Sequence, residues 1–210
     1  MGRVSTLQHP EDPAVAEDGK PATSAERILS TALDLFAVRG YDATAVREIC
    51  EAADITKPTL YHFYGSKEGV LQALVTTGFQ RFRQLVDAAM AEPGSFRARL
   101  KSVARAMFES ATRQPLYWRF MHGIVWAPPG TAPKTASCTE FYEGVIEVLA
   151  RAEKVAVAQG ELAAGDSKVR MLILMGGIGE AATGFVISGK PELTPELADA
   201  LIDSMLDGWR

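Results

Sequence analysis

The sequence predicts an all-α protein built as a small three-helix unit followed by a larger helical one. Apolar residues recur at helical spacing from about residue 24 onward. Hydroxyl residues and prolines stand where helices would begin, and glycines where they would end. Beyond Leu71 nothing in the pattern suggests a strand. A length of 210 residues holds one small and one larger domain, and 47% hydrophobic residues suffice for their cores.

Residues 1–23 are rich in Pro, Ala, Asp and Glu, lack the apolar centre of a signal peptide, and read as a mobile arm. Ile28, Leu29, Ala32, Leu33 and Phe36 then mark a first helix over 24–39, stopped by Gly40. Thr44 reads as the cap of a second helix, with Val46, Ile49, Cys50 and Ala53 inward and Arg47 and Glu48 outward. The turn Asp54-Ile55 leads to a short third helix capped by Thr56, with Pro58 in the first turn, where no amide donor is needed. In it Leu60 and Phe63 are expected to point inward, while Lys57, Thr59, Tyr61, His62 and Tyr64 ride the rim. Gly65 ends this helix, and Ser66 caps the next with Lys67 in its first turn. The third helix thus presents hydroxyls, an imidazole and a lysine, groups that bind phosphate oxygens and base edges. Two helices joined by so short a turn match the geometry that lays a recognition helix in the major groove.

Further helices are expected over 71–90, ended by Pro93-Gly94, and along the stripe Phe96, Leu100, Val103, Ala104, Met107 and Phe108. A short aromatic helix over 116–126 follows Pro115, then a loop over 127–137 containing APPGTAP. Phe141, Val145, Val148, Leu149 and Ala152 mark another helix, and residues 160–166 separate it from helices over 167–188 and 194–209.

The N-terminal third resembles the TetR family of bacterial transcriptional regulators. The resemblance rests on Leu35-Phe36 with Gly40-Tyr41, then Thr44, Ile49, Ala52-Ala53, and the run Thr59-Leu60-Tyr61-His62-Phe63-Tyr64-Gly65-Ser66-Lys67-Glu68. It covers roughly residues 24–71. Asp54 replaces the usual turn glycine, at a position where aspartate tolerates a positive φ better than most residues. Cys50 and Ala45 also depart from the pattern, and Gly69 is expected to weaken the start of the fourth helix. The resemblance implies a helix-turn-helix DNA-binding domain over 24–70 (motif about 45–64) and a helical ligand-binding and dimerisation domain over 71–210.

Ten residues are then the expected DNA contacts. Thr44, Tyr61 and Lys67 are assigned to phosphates, and Lys57, Pro58, Thr59 and His62 to bases or thymine methyls. Arg47 is assigned to a base edge, Tyr64 to either role, and the cap Thr56 joins them. The net charge of -4 argues against non-specific DNA affinity, but Arg47, Lys57, His62 and Lys67 supply cations locally.

The central helices carry many aromatics and methionines. Implied by the resemblance is a ligand cavity among them, with Met107, Trp118, Met121, Trp126, Phe141 and Met175 as walls and Glu109, His122 and Tyr142 as polar groups. A lipophilic or aromatic effector fits such a lining, and the helix over 71–90 would link it to the DNA-binding domain. Gly176, Gly177, Gly179 and Gly184 permit close helix approach, and the resemblance implies a homodimer through about 167–210.

Enzymatic chemistry finds little support. His9, His62 and His122 show no metal-ligand spacing, and Gly176-Gly177-Ile178-Gly179 follows no strand. Neither catalytic residues nor a metal or cofactor is expected. The apolar run 171–187 is interrupted by Glu180 and glycines, so no membrane span and a cytoplasmic location are expected, with Cys50 and Cys138 as reduced thiols. The expected function is a ligand-responsive DNA-binding regulator, a repressor of a near-palindromic operator. The alternatives are a non-specific architectural DNA-binding protein and a helical enzyme.

Overall fold

The computed structural model describes residues 23–125 and 137–208, the side chains of the second segment from residue 143. The described residues form helices α1 (Ser24–Arg39), α2 (Val46–Ala52), α3 (Lys57–Tyr64), α4 (Lys67–Ala91), α5 (Phe96–Arg113), α6 (Pro115–Val125), α7 (Ser137–Ala158), α8 (Ser167–Ser188) and α9 (Pro195–Asp207). No strand occurs among them. The expected arm over 1–23 and the APPGTAP loop lie essentially outside the described residues.

Local chemistry sets most boundaries. Thr23 and Glu26 cap α1 reciprocally, and the Thr23 backbone and hydroxyl donors hold the Glu26 carboxyl below its usual range. The cap of α2 is a correction to the sequence reading. Ala45, not Thr44, is the N-cap; it offers no side-chain acceptor, the Glu48 amide donates to the Ala45 carbonyl at 3.0 Å, and the Glu48 carboxylate accepts from the Ala45 amide at 2.8 Å. Thr44 is buried instead, its hydroxyl donating to the Gly40 carbonyl at 2.8 Å. Asp54 adopts φ +50 in the α2–α3 turn, the conformation that glycine would otherwise provide. Gly69 has a packing reason: a Cβ there would overlap the Tyr64 carbonyl oxygen, so the tight α3–α4 connection requires glycine.

Two cores result. The N-terminal one gathers Ile28, Leu33, Phe36, Ile49 and Leu60 with Val70, Leu71, Leu74, Val75 and Phe79 of α4 and Phe120 of α6. Its packing therefore continues well past residue 70. The larger core joins α4, α5, α7, α8 and α9 around Phe96, Phe108, Leu149, Met171, Leu174, Ile178 and Ile202. Across the outside of α5 and α9, Arg97 pairs with Asp203 at 2.6 Å and Asp207 at 2.8 Å, and Lys101 with Asp203 at 2.8 Å. Arg105 completes the ladder on Asp199. Between α7 and α8 lies a buried ion pair, Glu153–Arg170, at 2.8 Å.

By length and composition α8 is apolar enough to cross a membrane, contrary to the sequence expectation. One stripe of it, Arg170, Met171, Leu174, Ile178, Ala182 and Val186, is nevertheless buried inside the protein. The glycines on this helix divide. Gly177 lies under the Met205 side chain of α9 and Gly184 against the Lys190 carbonyl, whereas a Cβ on Gly176 or Gly179 would meet open space.

Candidate nucleic-acid interface and effector cavity

Helix α3 is held at both ends and exposed along its length. Thr56 caps it, accepting from the Thr59 amide at 3.4 Å, while the two hydroxyls lie 2.9 Å apart. Leu60 is its one buried residue, and Tyr64, four residues on, shares the inward side. The Tyr64 hydroxyl donates to the Ala25 carbonyl at 2.9 Å, and burial raises the phenol above its usual range. Tyr64 therefore braces α3 against α1. Phe63, expected inward, is 47% exposed, because Leu60 and Tyr64 already fill the narrow contact with α1 and α4. Lys57, Pro58, Tyr61 and His62 are exposed on the same short helix, and Arg47 is exposed on α2, loosely paired with Glu51 at 3.5 Å.

Two expected phosphate contacts have other duties. The buried Thr44 hydroxyl faces Gly40 rather than solvent, which removes it as a phosphate donor. The Lys67 ammonium donates to the carbonyls of Tyr41 and Thr44 at 2.9 and 3.0 Å and lies 4.1 Å from the centre of the Tyr41 ring. That pins the start of α4 to the α1–α2 turn; two of its three protons are committed.

A cavity of about 370 Å³ opens between α4, α5, α6 and α8. Its walls include Met107, Trp118, Met121, His122 and Met175, five of the residues singled out in the sequence. Glu109 is a correction: it is exposed on the outer face of α5, paired with Arg113 at 2.6 Å, because 105, 109 and 113 form the solvent stripe of that helix. Trp126 and the side chains of Phe141 and Tyr142 lie outside the described residues.

The sequence reading missed Gly78, Phe79, Phe82, Tyr117, Val125, Gly176, Gly179, Glu180 and Thr183. Helical spacing from Met175 would have found Gly179 and Thr183, and spacing from Phe79 would have found Phe82. Trp118 is oriented by its indole N–H, which donates to the Ser110 hydroxyl at 3.2 Å. Tyr117 presses its hydroxyl against α4, 3.4 Å from the Leu74 carbonyl, in space that a Cβ on Gly78 would occupy. Burial pushes that phenol far above its usual range, so it stays neutral.

From Tyr117 an aromatic series runs to the α1–α2 turn. Its ring centre is 6.2 Å from that of Phe120, Phe120 is stacked on Phe36 at 6.2 Å, and Phe36 is 5.3 Å from Tyr41, the ring under Lys67. Helix α6 thus walls the cavity with Trp118, Met121 and His122 and completes the N-terminal core with Phe120. No group of side chains suited to holding a metal occurs among the described residues.

Residues 28–74 match the family model described as bacterial regulatory proteins, tetR family. The HTH-type transcriptional repressor KstR2 of Mycolicibacterium smegmatis is 38% identical over 74 residues, covering 33% of this chain and 36% of that protein. The chain spans less than half the length of the curated relatives it matches. Solved structures share the fold over most of the chain. The fatty acid degradation regulator FadR of Bacillus halodurans has a TM-score of 0.75 at 21% identity, over 88% of this chain and 99% of that one. FadR of Bacillus subtilis, solved in complex with stearoyl-CoA, has a TM-score of 0.71 at 18% identity, over 88% and 98%. The motif, the nine described helices and these matches agree: residues 28–74 match the TetR family of bacterial regulatory proteins, and the described helices share the fold of solved regulators.

Proposed function

We propose that the protein is a ligand-responsive transcriptional repressor that binds a near-palindromic operator as a dimer and releases it when a lipophilic or aromatic small molecule fills the cavity. The observation that carries this reading is the double duty of α6, whose residues wall the cavity and complete the core of the helix-turn-helix. Lys57, Pro58, Thr59 and His62 read bases, Tyr61 holds a phosphate, and Arg47 reaches a base edge after leaving Glu51. Thr56 orders the first turn of the recognition helix, and Lys67 and Tyr64 set its position. FadR of Bacillus subtilis, with its bound stearoyl-CoA, is a precedent in fold for an acyl effector.

The dimer forms through α8, whose outer side leaves Val169, Leu172 and Ile173 exposed. It places two recognition helices about 34–36 Å apart, or at a multiple of that spacing. An effector that fits the cavity better in another arrangement of α6 draws the population away from the DNA-competent one. The location is cytoplasmic, where such an operator is reached.

Selection of bound fragments from random duplex DNA by the purified chain tests the reading. An enriched inverted repeat is the expected result. Enrichment of no sequence, with equal affinity for all duplexes, would replace it with an architectural role.

A further inference from the structure

We infer that the effector is a lipophilic cation, a protonated amine or a quaternary ammonium, whose charge sits beside Glu180 at the mouth of the cavity. This rests on the reading of the cavity as the effector chamber. Glu180 is the one Asp or Glu among the described walls, and no Lys or Arg lines the space with it. Among the described residues, none forms an ion pair with its carboxylate. Arg81 acts electrostatically on the Tyr117 phenol, but it is exposed on α4 and stands outside the walls. The remaining titratable walls are His122 and Tyr117, and burial keeps the Tyr117 phenol neutral.

The surroundings of this carboxylate fit a cation with an apolar body. Phe79, Phe82, Tyr117 and Trp118 furnish aromatic rings, which attract a positive charge as well as apolar surface. On α8, Gly176 and Thr183 stand one turn before and one turn after Glu180, with Gly179 beside it. A Cβ on Gly176 or Gly179 would meet open space, so packing among the described residues gives no reason for either glycine. Each weakens the helix relative to alanine. Together they form a backbone floor that leaves a guest room to lie along α8 and reach the carboxylate. The Thr183 hydroxyl can accept from an ammonium N–H in the same place. The apolar walls would also admit an acyl tail, but a fatty carboxylate would meet Glu180 with no described Lys or Arg to hold it.

Calorimetric titration of the full chain, without DNA, with decyltrimethylammonium, decanol and decanoate tests this, since the three share one tail and differ in charge. The cation should bind about tenfold tighter than decanol, and decanoate should bind weakest. Glu180→Gln keeps the size and removes the charge at an exposed position. It should weaken the cation about tenfold and leave decanol within about twofold. Glu180→Lys should reverse the order, with decanoate the tightest of the three. Gly179→Phe, which fills the cavity, should abolish binding of all three. Equal affinity of the wild type for the three probes, a preference for decanoate, or a cation preference that survives Glu180→Gln or Gly179→Phe would overturn the cation site. Loss of decanol binding in Gly179→Phe would still leave the effector chamber standing. Binding of none of the three to the wild type would instead remove the chamber itself, and the cation site with it.

Discussion

Helix α3 and helix α8 are stabilised in opposite ways. The eight residues of α3 bury one side chain and are fixed by a cap, a tyrosine hydroxyl on a carbonyl and the glycine-tight entry to α4. The 22 residues of α8 bury a full stripe and are anchored by the Arg170–Glu153 pair, while the remaining surface is apolar and partly open. Directional bonds fix α3 in one pose, which suits the base reading proposed for it. Side-chain packing around a partly empty space lets the walls of the cavity repack around a guest. Between them α6 belongs to both kinds of structure, and on the proposed reading it is the element through which one region senses the other.

The contrast can be broken first at the buried pair. Replacing Glu153 with Ala leaves the Arg170 guanidinium buried without its carboxylate and should cost about 3–5 kcal/mol, read as a drop in the urea midpoint. An unchanged midpoint would mean that α7 and α8 are not held together there. Next, Gly78→Leu places a side chain where the Tyr117 hydroxyl lies, and should cost about 1–3 kcal/mol while displacing α6 from α4. Operator affinity should then fall although no DNA-facing residue has changed; wild-type affinity would argue that α6 carries no signal.

Thr56→Ala removes the cap of α3 and should cost about 1 kcal/mol. Its signature is faster hydrogen exchange in α3 with α8 unaffected. The smallest effect is acid sensitivity at the α5–α9 ladder. The hydrogen bond from Arg105 lowers the Asp199 pKa, and that from Lys101 chiefly lowers Asp203. Carboxylates with lowered native pKa values stabilise fully above the ordinary aspartate range, about 4, and less as pH falls through their native values. Asp203→Asn should flatten the loss of stability below that pH, and a slope equal to wild type would assign it to other carboxylates.

What the sequence revealed follows the same contrast. The helix ends around α1, α3 and α4 were legible because capping is local: Thr56 and Ser66 stand at the boundaries they cap, as does Thr23, which the sequence reading left in the arm. The α2 start misled because the Thr44 hydroxyl turns inward to the Gly40 carbonyl, while the chain enters the helix at Ala45, whose amide the Glu48 carboxylate accepts. Phe63 misled because a helix this short has room inward for Leu60 and Tyr64 only. In the cavity, composition pointed to Trp118, Met121 and Met175, but Tyr117 becomes a wall residue only when α4 and α6 meet. Glu109 was an avoidable error, since Arg105 and Arg113 at helical spacing mark its side of α5 as solvent.

The measurement that tests the role of α6 most directly needs no knowledge of the effector. Coupling between two sites is reciprocal, so operator binding must be felt at the cavity. Amide hydrogen exchange should be compared for the free protein and its complex with a selected operator duplex. The account predicts changed exchange in α6 (Pro115–Val125) as well as the expected protection of α2 and α3. Protection confined to α2, α3 and the start of α4, with α6 and the cavity walls unaltered, would contradict it.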